Sequence, residues 1–148
     1  MTMIKHYLTG AAGVALCATL AACSTTDSHP NAANQLAQKT VRYECSAQGQ
    51  RGINLEVQYT FQGTDPVTAQ VVYDNQAIAM TRDTNSKANL VGATFTGEGY
   101  TWTTGPFTVD NAEKVNGNML TRSDAAANAG GQHINTILAR NCAVRGQG

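Results

Sequence analysis

Apolar and polar residues alternate with a period of two through much of the chain after Val41. Val41, Tyr43 and Cys45 are separated by Arg42 and Glu44. Ile53, Leu55, Val57, Tyr59 and Phe61 are separated by Asn54, Glu56, Gln58 and Thr60. Successive side chains of a strand point to opposite faces, so this second run predicts a half-buried antiparallel strand. Gly63-Thr64-Asp65-Pro66 supplies a turn, and Val67, Ala69, Val71 and Tyr73 resume the alternation. Asp74-Asn75, both tolerant of positive φ, predicts a two-residue hairpin turn. The return strand is Gln76 to Thr81, with Ile78 and Met80 on one face.

The second half is less regular. Arg82 to Ala88 is polar and reads as a loop, and Asn89 to Phe95 as a strand. Gly97-Glu98-Gly99 predicts a turn into a strand starting at Tyr100 and Trp102. Gly105-Pro106 interrupts that strand, and Phe107 and Val109 continue the alternation. Asn116-Gly117 is a hairpin signal. Residues 123–132 read as a flexible excursion, with a short helix as the alternative, before a last strand from Ile134 to Cys142. Short strands at steady spacing with turns between them predict an all-β sandwich or barrel.

The N-terminus has a different character. Lys5 is followed by an uncharged, apolar or small stretch from Tyr7 to Leu20, then Leu20-Ala21-Ala22-Cys23. A basic start, a short apolar core and small residues before a cut site describe a secretory signal. Leu-Ala-Ala-Cys is similar to the bacterial lipobox. Residues 1–22 are therefore read as a lipoprotein signal, with Cys23 as the lipid-bearing first residue of the mature chain. Several acyl chains on one residue anchor a protein without spanning the bilayer. Ser24 after the cysteine is the family-level pattern for the outer membrane, so the expected location is that membrane, lipid-anchored. Residues 23–40 read as lipidated N-terminus and polar linker, with a weak helix signal over Ala32–Lys39. The domain is assigned to 41–148.

Charge and cysteines narrow the picture. The chain carries 10 basic and 10 acidic residues, and losing Lys5 with the signal leaves a slight negative excess. Nothing in that balance favours nucleic acid as a partner. Cys17 leaves with the signal and Cys23 is lipidated. Cys45 and Cys142 remain as one pair in an oxidising compartment, which predicts a disulfide bracketing nearly the whole domain.

No catalytic constellation stands out. His29 lies in the linker, and His133 sits in what reads as a Gly-rich loop, without metal-ligand partners at usable spacing. Ser123, Asp124 and His133 are the residue types of a nucleophilic triad, but on a segment read as too mobile to hold one. Gly97-Glu98-Gly99 lacks the downstream Gly-Lys of a phosphate loop. The reading is a non-enzymatic protein with no cofactor and no metal site, acting by binding or as structure.

The ordered set of Tyr43-Glu44-Cys45, Gly92-Ala93-Thr94-Phe95, Tyr100-Thr101-Trp102-Thr103-Thr104-Gly105 and Asn141-Cys142, behind a lipoprotein signal, resembles the membrane-bound inhibitors of C-type lysozyme and the related adhesin complex proteins. The resemblance covers about 41–110 and the last strand, and leaves 111–133 as an insertion in the final hairpin. It implies a small antiparallel β-barrel closed by a disulfide between first and last strands. It also implies that the two middle segments form loops entering the lysozyme cleft, where a serine and a lysine meet the catalytic carboxylates. On that basis Gly92, Thr94, Phe95, Tyr100, Trp102, Thr104 and Gly105 are the candidate partner-binding residues, with C-type lysozyme or another host protein as partner.

The chain departs from the family at the contact positions. The family serine falls on Val91 and the family tyrosine on Phe95, and Thr104 runs straight into Gly105 with no lysine between. Losing a charge-assisted bond to a buried carboxylate costs about 2–5 kcal/mol. An adhesin-like or structural envelope protein is therefore the second reading. Phe95, Tyr100 and Trp102 suit either core packing or an exposed contact, Tyr100 being the best fitted of the three to meet water.

Overall fold

The computed structural model describes residues 35–47, 49–85, 87, 92–125 and 133–146. The signal segment and Cys23 lie outside them. Eight strands follow one another: β1 (Leu36–Ala47), β2 (Gln50–Gln62), β3 (Asp65–Tyr73), β4 (Gln76–Arg82), β5 (Ala93–Gly97), β6 (Tyr100–Thr104), β7 (Gly117–Ala125) and β8 (His133–Val144). Each pairs antiparallel with the next, and β8 pairs with β1, so the sheet closes into an up-and-down barrel. Cys45 and Cys142 form a disulfide across the closing seam, with Cα atoms 4.0 Å apart. Asn141, at φ 52°, takes the left-handed conformation where the β1–β8 register shifts. The expected all-β barrel tied between first and last strands is the fold observed.

The alternation read in β1 and β2 becomes the inner face. Val41, Tyr43, Cys45, Leu55, Val57, Tyr59 and Phe61 are all buried, and Arg42, Glu44, Asn54 and Glu56 face solvent. Asp74 and Asn75 have φ of 49° and 59°, the hairpin turn expected between β3 and β4. Glu98 and Gly99, at φ 53° and 81°, make the corresponding turn between β5 and β6. Six aromatic rings fill the interior: Tyr43, Tyr59, Phe61, Phe95, Trp102 and Phe107, with ring centroids between 4.8 and 6.4 Å for the pairs in contact. Edge-to-face and tilted contacts of this kind suit the quadrupoles of the rings. A barrel interior packed in this way leaves little room for a small ligand.

Several expectations are corrected. β1 begins at Leu36, so residues 36–40 are strand rather than linker, and Leu36–Lys39 are not helical. The ladder Leu36↔Gln62, Ala37↔Phe61, Gln38↔Thr60 and Lys39↔Tyr59 outweighs a weak local helix preference. The rest of that proposed helix and the linker before it lie outside the described residues. In β3 a register shift opposite Thr60 and Phe61 turns Pro66 inward, so Val67 is only half-buried and not in line with Ala69. β5 runs Ala93–Gly97, ending two residues beyond the expected Phe95, and residues 89–91 lie outside the described set.

The largest correction concerns residues 105–125. Phe107 and Val109 do not extend a strand; Gly105–Asn116 crosses one end of the barrel, with a 3-10 helix at Ala112–Lys114. Phe107 and Ala112 drop into the barrel mouth and are buried. Asn116-Gly117 is no hairpin, because Gly117 opens β7. Nor is 111–133 an insertion in the final hairpin: β7 is a full barrel strand between β6 and β8. Ser123 and Asp124, read as part of a flexible excursion, pair with Asn135 and Ile134 within that ladder, and residues 126–132 lie outside the described set.

Candidate protein-binding end of the barrel

The antiparallel path places the start of β5 beside the end of β6. Ala93 pairs with Thr104, and Gly92 lies just beyond. A methyl group on Gly92 would sit 2.0 Å from the Thr104 carbonyl oxygen and 3.4 Å from Cα of Gly105. Only glycine allows the two backbones to approach this closely. Gly92, Thr104 and Gly105 therefore form one junction, and the loops leaving it in both directions share one end of the barrel.

Those loops carry the polar groups of this end. Asp83 N–H donates to the Thr94 carbonyl at 2.9 Å, and the Asp83 carboxylate accepts from Asn85 N–H at 2.9 Å. Lys87 is exposed in the loop beyond. On the other side, Thr104 Oγ1 donates to the Gly105 carbonyl at 2.7 Å. Asn111 folds its own loop, its side chain accepting from Thr108 N–H at 2.7 Å. Val109 N–H donates to Thr64 O at 3.0 Å, tying the crossing segment to the β2–β3 turn. Lys39 Nζ lies 3.6 Å from Glu113 Oε2, and the neighbouring Lys114 is exposed. Among the described residues, this end is thus a set of hydrogen-bonded segments over a packed aromatic plug, with cations at its margin.

The seven candidate contact residues do not form one surface. Gly92, Thr104 and Gly105 meet at the junction, although Gly92 and Thr104 are themselves buried. Thr94 is buried on β5. Phe95 and Trp102 have no exposed surface, so the core-packing alternative holds for both and neither side chain reaches a partner. Tyr100 is half-buried at the opposite end, opposite Gly97 and Arg122. Tyr100–Thr104 is one strand that spans the wall, so Tyr100 and the junction at Thr104–Gly105 cannot share a contact.

Beneath the junction lies a buried polar relay. Trp102 Nε1 donates to Tyr59 OH at 2.8 Å, the Tyr43 and Tyr59 hydroxyls are 3.1 Å apart, and Tyr43 OH donates to Val115 O at 3.4 Å. Burial pushes the Tyr43 phenol up to about 12, partly offset by its bond to Tyr59. Burial likewise holds Tyr59 well above the ordinary tyrosine value, and the neighbouring Tyr43 adds to the effect. These phenols stay protonated and serve as packing with satisfied ends rather than as acid–base groups.

Asp124 accepts from Arg122 Nε at 2.8 Å and from Thr136 Oγ1 at 3.0 Å, and both contacts lower its carboxyl below the usual range. Among the described residues no group of three or more His, Cys, Asp or Glu side chains is arranged to hold a metal.

A family model described as the ACP-like domain matches residues 39–144, a span that includes β7 and the crossing segment. The chain belongs to the ACP-like domain family. This is the adhesin complex protein group, whose barrel is lysozyme-inhibitor-like. A search of curated proteins finds no match. For an ACP-like domain, the part sequence reasoning missed is the crossing segment Gly105–Asn116. Its only signal was the break in alternation after Gly105-Pro106 and the polar run Asp110–Lys114.

Proposed function

We propose that this protein is an outer-membrane lipoprotein, acylated at Cys23, whose ACP-like barrel binds a protein partner through the end built by loops 83–92 and 105–116. C-type lysozyme is the first partner to consider. The observation that supports this reading is the Gly92–Thr104–Gly105 junction. It brings together the two segments that, in the resembled inhibitors, enter the lysozyme cleft. The described part of this end, Gly105–Asn116, is already folded by its own hydrogen bonds, and a preorganised segment loses less conformational entropy on entering a cleft. Exposed Lys87 and Lys114 at this end supply cations for carboxylates in place of the absent family lysine.

The test is to mix the purified protein with hen and human C-type lysozymes and follow lysis of bacterial cells. Slower lysis that returns to the control rate on Lys87→Glu or Lys114→Glu substitution is expected. Lysis unchanged at a large molar excess removes the inhibitor function.

The second reading is an adhesin-like envelope protein, favoured by Val91 and Thr104-Gly105 standing where the family has its serine and lysine. Labelling of intact cells separates the two, because an adhesin must be reachable from outside and a purely periplasmic domain is not.

A further inference from the structure

β8 is longer than the strand it closes against. Its C-terminal part pairs with β1 through Val144↔Tyr43, Ala143↔Glu44 and Arg140↔Ser46. Its N-terminal part pairs with β7 through Ile137↔Thr121, Thr136↔Arg122, Asn135↔Ser123 and Ile134↔Asp124. Among the described residues nothing pairs with Ile134–Leu138 on the side away from β7. Ile134 and Ile137 are 54% and 41% exposed, two of the three large apolar side chains open to solvent among the described residues.

An open edge is ordinarily protected by charge, proline or a covering loop. The other half of the same seam shows that protection. There β1 carries Lys39, which the 3-10 helix flanks through Lys39–Glu113, and the Arg42 carbonyl accepts from Arg145 N–H at 2.8 Å. The β8 stretch Ile134-Asn135-Thr136-Ile137-Leu138-Ala139 has no charge, no proline and no glycine. It combines high β-propensity with an absence of charge, the composition of segments that pair with copies of themselves. Without residues 1–22 the chain has 9 basic and 10 acidic residues, so long-range self-repulsion is weak as well.

We propose that the N-terminal half of β8 pairs edge to edge with the same half-strand of a second copy of this chain, forming a two-fold dimer. An isologous contact uses the same patch on both subunits and closes after two copies. The alternating backbone groups of Ile134–Leu138 supply the hydrogen bonds, and the isoleucines lose solvent on both faces of the joined sheet. This edge lies toward the β5–β6 turn, at the end opposite Gly92 and Gly105, so the dimer leaves two copies of the candidate binding end free. The proposal does not depend on what binds there.

The test uses the protein as cells produce it, extracted in mild detergent. Sedimentation equilibrium over a hundredfold range of concentration is expected to show a monomer–dimer equilibrium. Hydrogen exchange at the amides of 134–138 should slow as concentration rises. The Ile134→Lys/Ile137→Lys variant should be monomeric throughout, with the near-ultraviolet signal of buried Trp102 unchanged. If that variant loses its fold, Asn135→Lys, at an exposed polar position of the same edge, replaces it. Wild-type protein that stays monomeric across the range overturns the proposal. So does a dimer that persists in a folded lysine variant, or one whose formation leaves exchange at 134–138 unaltered.

Discussion

The indole Nε1 of Trp102 on β6 donates a hydrogen bond to the hydroxyl of Tyr59 on β2, 2.8 Å away, inside the barrel. With Tyr59 donating to Tyr43, and Tyr43 to the Val115 carbonyl, every polar group of the relay is satisfied. The relay runs from β6 through β2 and β1 to the crossing segment, so the Val115 carbonyl under the candidate binding end is tied to three strands in series. Chains of buried hydrogen bonds reinforce one another where the dielectric is low.

Tyr59→Phe leaves the indole N–H buried without an acceptor. The expected loss is about 1–3 kcal/mol, the cost of an unsatisfied buried donor. Tyr43→Phe keeps the indole bond but leaves the buried Tyr59 hydroxyl without its acceptor, so a loss of the same order is expected. Urea unfolding followed by Trp102 fluorescence measures both.

Gly117→Ala meets a different obstacle. A methyl at Gly117 would lie 2.2 Å from Cη2 of Trp102 and 3.1 Å from Cβ of Cys142, between the indole and the disulfide. The ring is wedged in the core and cannot swing aside, so overpacking should cost about 1–3 kcal/mol. A midpoint in urea equal to that of the wild type would show that the indole has room the structure does not display.

Reducing Cys45–Cys142 releases a constraint between residues 97 apart in sequence. Chain-entropy reasoning puts a loop of this length near ~4.7 kcal/mol, with native disulfides commonly worth about 2–5. Thermal unfolding with and without reductant should therefore show a large drop in midpoint. The β1–β8 seam, which has few ladder pairs of its own, should be the first to gain hydrogen exchange.

Alkaline pH should destabilise the fold. Tyr43 ionises at about 12 when folded, against about 10 in the unfolded chain, and Tyr59 is shifted in the same direction. A raised folded pKa means the unfolded chain loses protons first. The contribution is complete below pH 10 and declines as pH climbs through the folded values. Urea midpoints measured between pH 9 and 12 should fall, and Tyr43→Phe should flatten that slope.

Much of the scaffold was legible from the chain. Period-two alternation in Val41–Phe61 named the inner face of β1 and β2 correctly, because one face of a barrel strand must be apolar whatever its neighbours are. The Asp74-Asn75 and Glu98-Gly99 turns were legible because positive φ restricts residue type. Cysteine arithmetic identified the pair that closes the seam. β7 was not legible: Leu120 is its only large side chain in the core, and Met119, Thr121 and Arg122 point elsewhere. Its strand character comes from Trp102 and Ala139 on the flanking strands, not from its own pattern.

By itself, then, the sequence determined an all-β domain, its disulfide and the residues of its inner face, since each rests on local geometry or on a fixed count. Tertiary structure alone decided which candidate contact residues share a surface. Tyr100 and Gly105 are five positions apart in sequence, yet Tyr100 opens β6 at one end of the barrel and Gly105 follows its last residue at the other. Gly92 and Thr104 are twelve positions apart in sequence but touch through their backbones. Strand pairing converts distance along the chain into proximity, and only the register fixes which residues meet.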